Sequence, residues 1–456
     1  MNLKSIALAL GVTVSAGLVR AEEAAPAPRR AAQHVVVISI DGLRPSFYLD
    51  AKFSKAVPTL VALRRAGSHA KRVDPPYPSL TYVGHASIST GARPARHGVA
   101  FGNNLDPIRD PDRGAWFAED LKSPALWDRA AEAGLTTATL SWPSTAGATN
   151  ITWNFPEFWP SRYGAEITLV RRHATPELLD IADSVQRRWP EALSKAEDRD
   201  AFIARLAEEL IRRGQPDLMM VHFVEPDKAQ HRYGPGSSST RAAMTRADNL
   251  VLRLREAVRK AGNESNTAWI IVGDHGFADV EFSIAPNVLL AEHGYLTVDK
   301  GTIRDWTAIT ANSGGSAGVY LKDPKDRKTA RAVRKLLEQH AESETGEVYF
   351  RIVERAQLDA LGAAPTAAFY LEGDPSYMFS GSLAGGFLRK SSLRGQHGYL
   401  PDRLAMKTGF IAAGAGIRSR SMIEDMALID VAPTVAALLG LDMPSAEGRV
   451  LTEVLK

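Results

Sequence analysis

His34-Val35-Val36-Val37-Ile38-Ser39-Ile40 runs without a break into Asp41-Gly42-Leu43-Arg44-Pro45. The run is almost wholly apolar and rich in β-branched residues, with no polar alternation. That is the pattern of a strand buried on both faces, as in the middle of a parallel sheet. An acid stands where this strand ends, and in open α/β sheets ligands gather outside the carboxyl ends of the strands. Working outward, Pro58 to Ala66 reads as the crossover helix, Pro124 to Gly134 as a helix with a glycine stop, and Thr136 to Leu140 as the next strand. Ala201 to Arg213 reads as a helix with Leu206, Leu210 and Ile211 on one face, leading to a strand over Asp217 to Val224. Arg241 to Lys260 is a long amphipathic helix, followed by the strand Trp269 to Gly273. Thr408 to Ala413 returns to the sheet and Ile429 to Leu439 closes the chain as a helix. Strands alternating with helices predict a doubly wound α/β core with a mostly parallel central sheet flanked by helices.

A second stretch sets the chemistry. Tyr77-Pro78-Ser79-Leu80-Thr81-Tyr82-Val83-Gly84-His85-Ala86-Ser87-Ile88-Ser89-Thr90-Gly91 reads as a loop that delivers Thr81 to the start of a helix. Pro75, Pro76 and Pro78 stop regular structure before it, and Gly91 with Pro94 stops the helix after it. Unpaired N–H groups and the helix dipole favour an anion such as phosphate at that end. A threonine hydroxyl there faces the bound phosphorus, and becomes a nucleophile once a base or a metal takes its proton. The plainer alternative is that Thr81 only caps the helix.

The 456 residues are 45% hydrophobic and 23% charged, with a formal net charge of +3. Residues 1–21 read as a cleaved secretory signal, with Lys4 as the positive start, Ile6 to Val19 as the apolar core and Val19-Arg20-Ala21 as the cleavage site. Removing them takes away Lys4 and Arg20 and leaves about +1. The apolar run is short for a membrane span, an uncleaved anchor being the alternative, and no stable membrane insertion is expected. No basic run of the nucleic-acid kind is present. The chain holds no cysteine, so a metal must sit on His, Asp, Glu or hydroxyl ligands. Residues 22–33 read as a linker and 34–456 as a single catalytic domain. Its core is expected over 34–141, 198–285 and 394–456, with inserts over 142–197 and 286–393. Trp142, Trp153, Trp159 and Trp189 make the first insert either a lid or wall beside a cleft, or a packed insert with no part in binding.

Three strand ends carry metal-type ligands. Asp41 follows the first strand. Asp227 and His231 follow another, four apart, which puts both on one face of a helical turn. Asp274 and His275 follow a third, where Gly273 and Gly276 permit the bend that lets neighbours face one way. Gly395-Gln396-His397-Gly398 places a further histidine far downstream. Each piece alone also suits an ordinary loop, but together they suggest a shared site.

These pieces, with Pro78 to Gly91, His97-Gly98 and Tyr233-Gly234-Pro235, resemble the type I phosphodiesterase/nucleotide pyrophosphatase family of the alkaline phosphatase superfamily, in family order across nearly the whole chain. The resemblance implies an alkaline-phosphatase-like core and two zinc ions, with other divalent metals open. One ion would be held by Asp227, His231 and His397, the other by Asp41, Asp274, His275 and Thr81. It implies that Thr81 attacks phosphorus and forms a phosphothreonine, which water then hydrolyses. It also implies an asparagine donating to a phosphoryl oxygen, here Asn103, with Asn104 as the alternative because this loop is one residue longer. A nucleotide base would be flanked by an aromatic after the nucleophile, matched by Tyr82, and by a second one five residues before Asp227, where this chain has His222.

Superfamily monoesterases place a Lys or Arg just after the third strand to meet the extra phosphate charge. Here that position reads Leu140-Ser141-Trp142-Pro143-Ser144-Thr145, with no cation. The reading is therefore a periplasmic or secreted hydrolase of phosphodiester or phosphoanhydride bonds in a small molecule, with nucleotides foremost. The alternatives are a phosphomonoesterase, a lipid-headgroup diesterase, and a metal-stabilised binding protein without catalysis.

Overall fold

The computed structural model describes residues 30–456 except 101–107, 109–113, 161–163 and 194. The signal segment and most of the linker therefore lie outside the described residues. His34–Ile40 (β1) is the middle of an eight-stranded sheet that also contains Ser68–Asp74 (β2), Thr137–Trp142 (β3), Trp153–Pro156 (β4), Leu218–Phe223 (β5) and Thr267–Val272 (β6). The strands Phe410–Gly414 and Ser421–Ala427 complete it. β6, β1, β5, β3 and β4 lie side by side in that order, all parallel. Phe410–Gly414 runs antiparallel between β6 and β2, and Ser421–Ala427 closes the other edge parallel to β2.

β1 is buried on both faces because successive side chains point opposite ways. Val36, Ile38 and Ile40 join one hydrophobic core, which takes in Leu60, Phe202, Leu206, Met244 and Leu254 from the helices Pro58–Ala66, Ala196–Gly214 and Ser238–Lys260. Val35 and Val37 join a second core on the opposite face, built from the helices Leu126–Glu132 and Val431–Leu439. That is the doubly wound arrangement, with helices on both faces of a mostly parallel sheet.

Two segments differ in detail from the reading of 142–197 and 286–393 as excursions. The first supplies β4, an edge strand of the main sheet. Its Phe155, Phe158 and Trp189 are buried in the main core. The second builds an antiparallel sheet from Ala308–Ser313, Ser316–Leu321, Phe369–Gly373 and Phe350–Val353. It has its own core around Val319, Leu337, Phe350 and Leu371. The strand Ala278–Ile284 also pairs with Gly395–Gln396, through Ala278 and Asp279. That pairing carries the chain back to the carboxyl edge of the main sheet.

The register fixes what that edge displays. Ile40 lies opposite Phe223, and Ser39 opposite Val272. Asp41, the segment after Phe223 and the segment after Val272 therefore leave the sheet side by side.

Candidate metal and phosphoryl site

Each chemical side chain is set by a short local device. Asp41 follows β1 directly, and Gly42, at φ +70°, turns the chain so that its N–H donates to Asp274 Oδ1 at 3.0 Å. After β5, the helix Glu225–Tyr233 carries Asp227 and His231 on one face. Its start is held by the buried carboxylate of Asp200, which accepts the N–H of Val224 and of Glu225, both at 2.9 Å. After β6 the chain bends through Gly273 to present Asp274 and His275. The helix Thr81–Thr90 begins at Thr81, with Leu80 in the N-cap position. Thr81 is therefore the first helical residue and not the cap, and its hydroxyl is left for other work.

The structure brings the seven expected ligands together. His231 Nε2 lies 3.2 Å from Asp227 Oδ1, and His397 Nε2 lies 3.6 Å from the same oxygen. His275 Nε2 lies 3.2 Å from Asp41 Oδ1 and 3.3 Å from Asp274 Oδ2. Thr81 Oγ1 is 3.3 Å from His275 Nε2. The rings of His275 and His397 stack at 3.6 Å, joining the two groups. Two sets suited to holding a metal ion result, Asp227/His231/His397 and Asp41/Asp274/His275. A third set, His85/His222/Asp274, lies against them.

The outer partners orient the rings. The Nδ1 of His231 meets the Gly395 carbonyl at 3.0 Å, that of His397 the Ser79 carbonyl at 2.9 Å, and that of His275 the Gly276 carbonyl at 3.1 Å. A carbonyl partner makes each Nδ1 the protonated nitrogen and leaves Nε2 with a free lone pair facing the carboxylates. Burial lowers His275 to about 4 and pushes His397 well down, so both rings stay neutral, the form that binds metal.

The carboxylates fit a bound cation. Asp41 Oδ1, Asp227 Oδ1 and Asp274 Oδ2 are buried and have no hydrogen-bond partner among the described residues. Burial, together with the charges of Asp227 and Asp274, pushes Asp41 well above the usual carboxylate range. Burial also works to raise Asp227, but His231, Lys228 and His397 outweigh it and hold Asp227 well below its ordinary value. Unpaired buried acids are costly unless a cation meets them. Oxygen and imidazole donors without thiolate suit zinc, and also admit manganese or iron.

The remaining expected residues are placed differently. Tyr82 is half-buried, beside Thr81, and packs against the main core. His222 departs from its expected place as a base-stacking ring: it is 0% exposed within β5, with His85 against it at 4.2 Å. Its ring nitrogens turn to Glu157 and Asp41, so no ring face is open to a base. Asn103 and Asn104 lie outside the described residues. Of the four tryptophans, Trp142 is buried and donates to Ser89 Oγ at 2.9 Å, and Trp189 is buried in the core. Trp153 is half-buried against the same core. Trp159 is 38% exposed, with Lys228 and Arg199 each 4.4 Å from its ring centre. His85 was not singled out from sequence; it stands four residues after Thr81, and its Nδ1 meets the Thr81 carbonyl at 2.7 Å. Glu157 gave no signal in the sequence.

The sequence matches the type I phosphodiesterase / nucleotide pyrophosphatase family over residues 35–400. Venom phosphodiesterase 2 of Crotalus adamanteus is 26% identical over 252 residues, 54% of this chain and 27% of that protein. The match thus spans about a quarter of that relative's length. Human ectonucleotide pyrophosphatase/phosphodiesterase family member 7 is 24% identical over 472 residues, covering 99% of this chain and 88% of its own. Among solved structures, murine ectonucleotide pyrophosphatase / phosphodiesterase 5, inactive and in complex with AMP, superposes with a TM-score of 0.66. That comparison covers 93% of this chain and 100% of the other at 18% identity, and it shows a shared, alkaline-phosphatase-like fold. No helix among the described residues is long and apolar enough to cross a membrane.

Proposed function

The chain belongs to the type I phosphodiesterase / nucleotide pyrophosphatase family, and from that footing we propose that it is an exported two-metal hydrolase of phosphodiester or phosphoanhydride bonds, with nucleotides as the leading substrate class. The observation that carries the reading is the gathering of three partnerless buried carboxylate oxygens and three imidazole nitrogens beside one threonine hydroxyl. Asp227, His231 and His397 would hold one zinc ion, and Asp41, Asp274, His275 and Thr81 the other. When bound, such a pair lowers the pKa of a hydroxyl and neutralises charge on attacking and leaving oxygens.

The chain's own residues do the rest. Thr81 Oγ1 attacks phosphorus, forming the Oγ–P bond as the bond to the leaving oxygen breaks. The proton lost by Thr81 leaves with the departing alcohol or phosphate. Water then attacks the phosphothreonine and restores Thr81. The first N–H groups of the helix Thr81–Thr90 have no partners within that helix and would suit phosphoryl oxygens. Tyr82 on one side and Trp159 on the other would wall the cleft. Trp159, exposed beside the ligand helix, supports the reading of the 142–197 segment as a wall.

One observation favours a phosphomonoester instead. Lys228 Nζ lies 3.5 Å from Asp227 Oδ2, which puts a cation beside the metal-type ligands, and a doubly charged phosphate would favour one. Comparing a nucleotide nitrophenyl diester with nitrophenyl phosphate, for the wild type and for Thr81→Ala, separates the readings. Turnover of the diester, lost by at least about a thousandfold in a variant that still binds metal, is the expected result. A fully active variant removes the nucleophile from the account, and a strong monoester preference removes the diester.

A further inference from the structure

Glu157, just past β4, and His222, within β5, have no part in the chemistry above, yet both are 0–1% exposed beside the site. His222 Nδ1 is 2.9 Å from Glu157 Oε2, and its Nε2 is 3.3 Å from Asp41 Oδ2. The ring is hydrogen-bonded to Glu157 through Nδ1, and its Nε2 faces Asp41 as a close contact outside hydrogen-bond geometry. Behind Glu157, the Ser141 hydroxyl donates to the same Oε2 at 3.3 Å. Arg199, 2% exposed on the helix Ala196–Gly214, pairs with Glu166 and acts electrostatically on Glu157. The two oxygens of Asp41 are divided. Oδ2 meets His222, while Oδ1 has no hydrogen-bond partner among the described residues and faces His275.

We propose that His222, backed by Glu157, is a positioning residue for Asp41, locking its carboxylate so that one oxygen stays turned toward Asp274 and His275 for a divalent cation. An outer partner of this kind fixes the orientation of a metal-binding carboxylate, and its loss typically weakens metal binding about 10–100-fold. The inference rests on the metal reading of the site given above. It gives His222 a task that a ring without nitrogen cannot perform, and it ties the 142–197 segment to the site through Glu157.

The test is zinc affinity by chelator competition, with zinc per chain, on the wild type, His222→Phe and Glu157→Gln. Kinetics on a nucleotide nitrophenyl diester at limiting and saturating zinc complete it. The expected result is that His222→Phe binds one of its two zinc ions about 10–100-fold more weakly. Glu157→Gln should shift in the same direction by less. Both should regain kcat at saturating zinc with KM little changed. Should His222→Phe fail to fold, Glu157→Gln, which keeps the shape of the side chain, carries the test. Variants that bind zinc like the wild type, with any change confined to KM, overturn the inference. A wild type that binds no zinc overturns the site reading, and this inference with it.

Discussion

His97 is fully buried, accepts the Val99 N–H on Nδ1 at 3.1 Å and meets Ser87 Oγ through Nε2, also at 3.1 Å. Ser87 itself donates to the Ala92 carbonyl at 2.9 Å, so the histidine must be the donor to Ser87. Only the neutral ring does both, and burial lowers its pKa to about 3. A histidine with a depressed folded pKa contributes stability that is complete above its unfolded pKa, about 6.5, and is lost as pH falls toward the folded value. Between pH 6.5 and 4.5 the loss amounts to about 2 kcal/mol. Chemical denaturation of the wild type and His97→Gln across that range should show the wild type losing about that much more. Parallel curves would mean that His97 titrates no differently in the folded chain. Legibility at this scale followed geometry carried by the backbone. Asp227 and His231 could be paired from their spacing of four, and they meet in the structure. The burial of His222 could not be read in the same way. Whether a strand residue faces a cleft or a buried carboxylate depends on Glu157, sixty-five residues away in sequence.

The helix Thr81–Thr90 sits close against the β6 exit, and Gly84 is what permits the approach. A Cβ placed there would stand 2.8 Å from the Asp274 carbonyl oxygen, a backbone atom that cannot swing aside. Gly84→Ala should therefore push Thr81 away from His275 and Asp274. A stability loss of about 1–3 kcal/mol is expected by thermal unfolding, together with a fall in kcat of about tenfold or more, since small misplacements of reacting groups are costly. A variant with wild-type melting and kcat would show that this contact does not position the nucleophile. The elements legible in sequence were those with strong periodicity. β1, β5 and β6 read as apolar runs because both faces are buried, and the long helices read from their apolar stripes. β2 and the two edge strands, β4 and Ser421–Ala427, were not legible. β2 is Ser68-His69-Ala70-Lys71-Arg72-Val73-Asp74, and its outward charges pair with Glu424 and Asp425 on the edge strand. Charged side chains on an edge guard it against pairing with other chains, and they also erase the apolar run that marks a strand.

At the scale of the whole molecule, the fold solves a gathering problem. Ligands spread from Asp41 to His397 meet because the parallel strands end in register at one edge. The strand Ala278–Ile284, pairing with Gly395–Gln396, then returns His397 to the same place. The strand-end acids made that edge legible in sequence. The second antiparallel sheet was not legible, because short strands with mixed polarity leave little periodic signal. The most direct measurement is anomalous diffraction at the zinc edge from crystals grown with zinc. The account predicts two peaks about 3.5–4 Å apart, one bounded by Asp227, His231 and His397, the other by Asp41, Asp274 and His275 beside Thr81. A single peak, or zinc bound elsewhere with these side chains bare, would contradict it.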